Sequence, residues 1–183
     1  MARAALGMLI GISLGWSVAE AQSNLPGAFV ADPGTGCKVW NPHPLADEAA
    51  SWSGSCVNGL AEGVGTLRWL RSGRIFEMDD GGWKQGRQEG RGTQDWKTGR
   101  YEGDLVSGEP DGYGIMTLQA ARYEGQFRKG KPYGEGTLIT LQGVLKGFWI
   151  DGCLNHNGRK VTFAVPSSAC GQKRNGQVKR STS

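Results

Sequence analysis

Glycine spacing constrains this chain more tightly than any other feature. Gly54, Gly81, Gly103, Gly125 and Gly147 follow one another at intervals of 27, 22, 22 and 22 residues. Each is followed five residues later by a second glycine: Gly59, Gly86, Gly108, Gly130 and Gly152. Four of the five units add a third and a fourth, nine and eleven residues after the first, at Gly63 and Gly65, Gly90 and Gly92, Gly112 and Gly114, and Gly134 and Gly136. The fifth unit lacks that pair and runs into CLNHNGRK, which ends the array. Two stretches, RYEGDLVSGEPDGYG from Arg100 and RYEGQFRKGKPYGEG from Arg122, show the period almost undiluted. A repeat this short cannot bury its apolar face alone, so it specifies an array in which every unit packs on its neighbours.

Between the glycines lie short runs of strand-forming residues, such as Gly92-Thr93-Gln94-Asp95-Trp96 and Gly136-Thr137-Leu138-Ile139-Thr140. Apolar residues never recur at helical spacing over three turns after the amino-terminal segment. Each unit is therefore expected to be two antiparallel strands joined by a glycine-containing turn, with successive hairpins paired edge to edge. Asp111-Gly112, Glu62-Gly63 and Glu89-Gly90 have the chemistry of tight hairpin tips and are assigned to them. One acid per tip reads as turn chemistry rather than as catalysis.

The ends of the chain carry different information. Met1 to Ala21 has a basic front at Arg3, an apolar centre and Ala19-Glu20-Ala21, the pattern of a secretory signal peptide cleaved before Gln22. Export to the periplasm or beyond gives meaning to the four cysteines, which an oxidising compartment lets pair. Three connectivities exist, and the local one, Cys37 with Cys56 and Cys153 with Cys170, is preferred because each bond closes a loop of about twenty residues, worth about 3 kcal/mol in the chain-entropy model. A four-cysteine zinc site would want a C-x-x-C pair, which the sequence does not contain. The expected divisions are a signal peptide over 1–21, a leader over 22–48, the array over 49–152 and, over 153–183, a disulfide cap with a disordered basic tail. The formal charge of +4 suits acidic lipid or wall polymer better than nucleic acid in that compartment.

Candidate chemistry is sparse. His43 and His156 lie in turn-rich sequence with no metal pattern, and no Gly-x-Gly precedes a helix as a phosphate loop requires. No cofactor, metal or catalytic residue is assigned. A hydrolase of wall polymer would need paired carboxylates facing a cleft, and a ribbon of hairpins offers no obvious one. Aromatic rings form the more informative class: Trp52, Tyr101 and Tyr123 precede the first glycine of their units by two, and Trp83, Phe127 and Trp149 follow it by two. Residues four apart on a strand share a face, so the rings form a ladder. As packing it is the core of a thin sheet; as a groove it would make Tyr101, Tyr123, Trp83 and Trp149 binding residues. Basic residues cluster in unit two at Lys84, Arg87, Arg91, Lys97 and Arg100, and in unit four at Arg122, Arg128, Lys129 and Lys131.

Tyr101-Glu102-Gly103 and Tyr123-Glu124-Gly125, each with its glycine five later and its Gly-x-Gly, resemble the MORN (membrane occupation and recognition nexus) repeat. Trp52-Ser53-Gly54 is an aromatic variant, while Asp79 and Leu145 make units two and five degenerate. The leader GCKVWNPHPLADEAASWSGSC looks like the start of exported bacterial MORN proteins. The resemblance implies an all-β, elongated, twisted antiparallel sheet of stacked hairpins, a single-layer ribbon with disulfide-bearing ends. It also implies a scaffold, dimerisation or membrane-adaptor role. The leader and tail are each too short to be an enzyme domain. The expectation is a non-enzymatic exported scaffold that binds a protein partner or itself at the cell envelope. The alternative is a ligand-binding module for anionic lipid or wall glycan.

Overall fold

The computed structural model describes residues 27–170; the expected signal peptide and basic tail lie outside them. Fourteen strands follow in order: β1 (Ala28–Ala31), β2 (Lys38–Asn41), β3 (Glu48–Trp52), β4 (Ser55–Val57), β5 (Leu60–Arg71), β6 (Arg74–Lys84), β7 (Arg87–Trp96), β8 (Gly99–Val106), β9 (Glu109–Leu118), β10 (Ala121–Arg128), β11 (Lys131–Thr140), β12 (Gly143–Trp149), β13 (Cys153–His156) and β14 (Arg159–Thr162). A short 3-10 turn, Ser167–Cys170, ends the described chain.

β5 to β12 pair strictly with their sequence neighbours, all antiparallel, and form the body of one open 12-stranded sheet. The glycines explain the register. Gly65, Gly81, Gly92, Gly103, Gly114, Gly125, Gly136 and Gly147 pair each with the next, so one row without side chains crosses the sheet. The rings of Trp52, Tyr101 and Tyr123, each two residues before its anchor, fold back over this row. A Cβ on Gly114 would stand 2.3 Å from the Tyr101 hydroxyl, and one on Gly136 would stand 2.1 Å from that of Tyr123. The row is thus the bed on which the rings lie, and any side chain there displaces them.

The hairpin tips differ from expectation. Glu62-Gly63, Glu89-Gly90 and Asp111-Gly112 lie inside β5, β7 and β9. The turns are Gln85-Gly86, Ser107-Gly108 and Lys129-Gly130, where both residues have positive φ as a two-residue type I′ connection requires. The acids serve those turns from the side. Gln85 N donates to Glu62 Oε2 at 2.9 Å, Ser107 N to Glu89 Oε1 at 3.1 Å and Lys129 N to Asp111 Oδ2 at 3.2 Å. Every such bond runs from one unit's turn to the preceding unit's carboxylate. The turn glycines add a second ladder, with Gly108 N donating to Gln88 O at 3.0 Å and Gly130 N to Pro110 O at 2.9 Å.

The two ends are finished differently. At the amino-terminal end, β3 and β4 pair antiparallel with β5, and β2 adds one parallel pair at Lys38 and Leu60. β2 from the leader, with β3 and β4 from the start of the array, therefore closes that edge. Cys37 and Cys56 pair there, with Cα atoms 5.8 Å apart. At the other end, among the described residues, β12 pairs only with β11, and the β13–β14 hairpin folds onto the inner face instead of extending the sheet. Phe163 stacks on Tyr123 with ring centroids 5.6 Å apart. Cys153 and Cys170 pair within this cap, with Cα atoms 5.7 Å apart. Both bonds follow the preferred connectivity.

Candidate functional site

The ring ladder is core. Tyr101, Tyr123 and Trp149 are fully buried, and Trp83 and Phe127 nearly so. The Tyr101 hydroxyl donates to Asp104 O at 2.8 Å and the Tyr123 hydroxyl to Gln126 O at 3.1 Å, so the polar tips are satisfied by backbone. Burial pushes both phenols upward, Tyr123 to about 12, which keeps them neutral donors. Phe127 meets Tyr101 and Tyr123 edge-on at 5.2 and 5.1 Å. Tyr101, Tyr123 and Trp149 therefore leave no ring face open to a ligand.

The core is nevertheless in two pieces. One cluster, with Trp52, Leu67, Trp69 and Trp83, lies towards the leader; the other, with Tyr101, Met116, Tyr123, Leu138 and Trp149, lies towards the cap. Unit two separates them because four of its inward positions are polar. Where other units have Trp52, Tyr101 and Tyr123 it has Asp79, and in place of Leu67, Met116 and Leu138 it has Gln94. Gln88 stands where they have Ala61, Pro110 and Pro132, and Glu77 where they have Ala50, Gly99 and Ala121. The glutamines satisfy each other and the backbone: Gln94 Nε2 donates to Gln88 Oε1 at 3.1 Å and to Gly108 O at 3.0 Å. Asp79, only 3% exposed, accepts from Trp69 Nε1 at 2.9 Å through Oδ2.

Two buried atoms here are without a hydrogen-bond partner, Asp79 Oδ1 and Trp83 Nε1. Glu77, whose carboxyl meets that of Asp79, can supply Oδ1 only by keeping its own proton. Burial first, and then the nearby Glu48 carboxylate, push Glu77 up to about 7; burial and then Glu77 hold Asp79 well above the usual carboxylate range. With the two carboxyls in contact, a proton held between them satisfies Oδ1 and removes one of two adjacent buried charges.

These groups line a cavity of about 760 Å³. Its outer wall runs from the end of β2 to the start of β3, including Trp40, Pro42, His43 and Glu48, and its floor is the inner face of β5, β6, β7 and β9. Trp69, Phe76 and Trp83 supply apolar wall beside the carboxyls, and Lys129 and Lys131 stand on a hairpin tip at its border. His43 Nε2 lies 3.7 Å from Glu109 Oε1, joining the leader to β9. The expectation of a ribbon without a cleft is thus overturned: the leader folds back along the hairpin tips and encloses one. Only the aspartate in place of an aromatic at position 79 marked this region in the sequence.

The expected basic patch is not one surface. Arg122 pairs with Glu124 at 2.8 Å, and Arg128 stands 3.6 Å from Asp151 while covering the Tyr133 ring at 3.4 Å. Lys129 faces the cavity instead. In unit two, Arg87 stacks on Trp40 at 3.9 Å and Arg100 bonds Asp95. Among the described residues no group of three or more His, Cys, Asp or Glu side chains is placed to hold a metal ion.

The MORN repeat model matches residues 52–69, 80–99, 101–119 and 123–140, so the chain carries four MORN repeats. The fifth glycine unit lies beyond the match and contributes one strand, β12, and a turn. Among curated proteins, none matches the chain.

Proposed function

We propose that this chain is a non-enzymatic, exported scaffold that joins a second copy of itself through the β12 edge of its sheet. The carrying observation is the contrast between its ends. Among the described residues β5 at the amino-terminal end is covered by β2, β3 and β4, whereas β12 has no strand on its outer side. Val144 and Phe148 of β12 and Ile139 of β11 are exposed together on the outer face, with Ile150 exposed just beyond them. An uncovered edge strand with apolar side chains is a template for further pairing, and a two-fold axis along β12 makes that pairing self-limiting. MORN repeats generally serve protein and membrane interaction, which agrees with this reading. Paired cysteines agree with export. Ion pairing of Arg122 and Arg128 weakens the anionic-lipid alternative, since those charges are already compensated. Glu77 and Asp79 are side by side on one strand, and glycoside hydrolysis wants two carboxyls flanking the bond to be cut.

Sedimentation velocity over a range of concentrations tests the association. Wild type is expected to sediment as a dimer and the Val144→Lys, Phe148→Lys double variant as a folded monomer; a monomeric wild type refutes the reading. Export is checked by sequencing the amino terminus of the mature protein, expected to begin at Gln22.

A further inference from the structure

We propose that the cavity beside the second repeat binds a small organic cation: a protonated amine with an oxygen acceptor close to it, held between the Glu77–Asp79 carboxyls and the indole N–H of Trp83. The inference is independent of self-association through β12, which uses the far edge of the sheet.

Four inward positions of one repeat are polar where the other repeats are aromatic, aliphatic or small. Such a change costs packing and desolvation at every position, so the fold alone gives no reason for it. Its products converge on one place. Asp79 Oδ1 has no donor beyond a proton held with Glu77, Trp83 Nε1 is a donor without an acceptor, and both are buried in side chains that line the cavity. A ligand that completes both must donate and accept.

Charge narrows the class further. At this end of the cavity the Glu48 carboxylate raises the proton affinity of Glu77, and Glu77 raises that of Asp79. Glu48 is held by neutral donors, Asn41 Nδ2 at 2.8 Å and Leu45 N at 3.0 Å. What the carboxyls lack is positive charge. A metal ion is disfavoured because no group of three ligating side chains is placed to hold one among the described residues. A water molecule would satisfy hydrogen bonds but not charge. An ammonium group supplies N–H donors and charge together, and the neighbouring indoles suit a cation, since their ring faces attract one. Trp83 Nε1–H asks for an oxygen, which selects amines bearing a nearby hydroxyl or ether. At the opposite border Lys129 and Lys131 repel a second positive charge, and His43 and Glu109 form the mouth. One ammonium, at the carboxyl end, is what the lining accommodates.

Binding then exchanges one cation for one proton. The ammonium donates to Asp79 Oδ1, both carboxyls become carboxylates, and the proton they shared leaves to the buffer.

The test uses the full chain and two matched probes, glucosamine and N-acetylglucosamine, which share the ring and hydroxyls but only the first of which is an ammonium. Glucosamine is expected to change the tryptophan emission saturably and N-acetylglucosamine to bind about tenfold or more weakly, a difference of at least about 1.4 kcal/mol. In the Glu77→Gln, Asp79→Asn variant, with thermal unfolding confirming that it folds, the response to glucosamine is expected to vanish. Calorimetry of wild type in two buffers of different ionisation enthalpy adds a readout independent of any variant, with net proton release expected. Equal binding of the two sugars, no binding of either, an undiminished response in the variant, or no proton release at pH 7 overturns the proposal.

Discussion

The second and fourth repeats have the same backbone and opposite interiors. In the fourth, Tyr123 lies over the glycine row, donates to Gln126 O and meets Phe127, Trp149 and Phe163. In the second, Asp79 occupies the equivalent place and brings Glu77, Gln88 and Gln94 with it. Strand pairing through the glycines is indifferent to the exchange: Gly81 pairs with Gly92 as Gly125 pairs with Gly136. The backbone row therefore sets the fold, while the residue two before each anchor decides whether a repeat contributes core or chemistry.

Transplanting one interior into the other breaks the comparison most severely. Tyr123→Asp is expected to destabilise the protein by about 4 kcal/mol or more, since it removes a fully buried ring and leaves a charge in its place. Urea unfolding measures this, and a loss below about 1 kcal/mol contradicts the assignment of the ladder as core. Opening the disulfides comes next. Each loop closure is worth about 3 kcal/mol, and reductant is expected to lower the unfolding temperature and promote aggregation. Cys37→Ala should loosen the polar half with the leader, and Cys153→Ala the aromatic half with the cap, as hydrogen exchange would resolve. An unchanged melting curve in reductant refutes the stabilising role.

The polar interior also gives the second repeat a pH dependence that the fourth lacks. Glu77 keeps its proton in the folded chain up to about pH 7 but loses it near 4.5 when unfolded. Folded protein thus binds more protons across that window, and stability falls as pH rises through it. The expected loss between pH 5 and pH 8 is on the order of 1 to 3 kcal/mol, and it should disappear in the Glu77→Gln, Asp79→Asn variant. A flat profile in wild type speaks against a shared proton. The smallest effect expected is that of Glu89→Ala, which removes the acceptor of the Ser107 N–H and should cost about 1 kcal/mol.

Much of the architecture was legible because glycine is informative twice over, in turns and at close approaches. The spacing of Gly81, Gly103 and Gly125 predicted hairpins in sequence order, and these residues do pair across the sheet. The tips were misplaced by several residues because Asp111-Gly112 has the chemistry of a turn; its glycine serves a bend inside β9, with φ of 120°. Strands β1 and β2 of the leader were not anticipated, because runs of four residues carry little periodic signal. The cavity was illegible for a different reason. It exists only where the leader loop meets residues 30 to 90 positions further on, and no local pattern encodes such a meeting. Asp79 stood out as a break in the repeat, but whether a break is decay or purpose depends on what its neighbours in space have become.

The carboxylate that each repeat lends to the next one's turn gives the array a direction of growth. Glu62, Glu89 and Asp111 each hold the turn that comes after; a whole repeat can be inserted or deleted without disturbing the scheme, whereas a partial one leaves a turn without its acid. The fourth repeat has Tyr133 where that acid would be. A lineage could lengthen or shorten such a protein in whole 22-residue steps upstream of this tyrosine, and Tyr133 serves as the full stop.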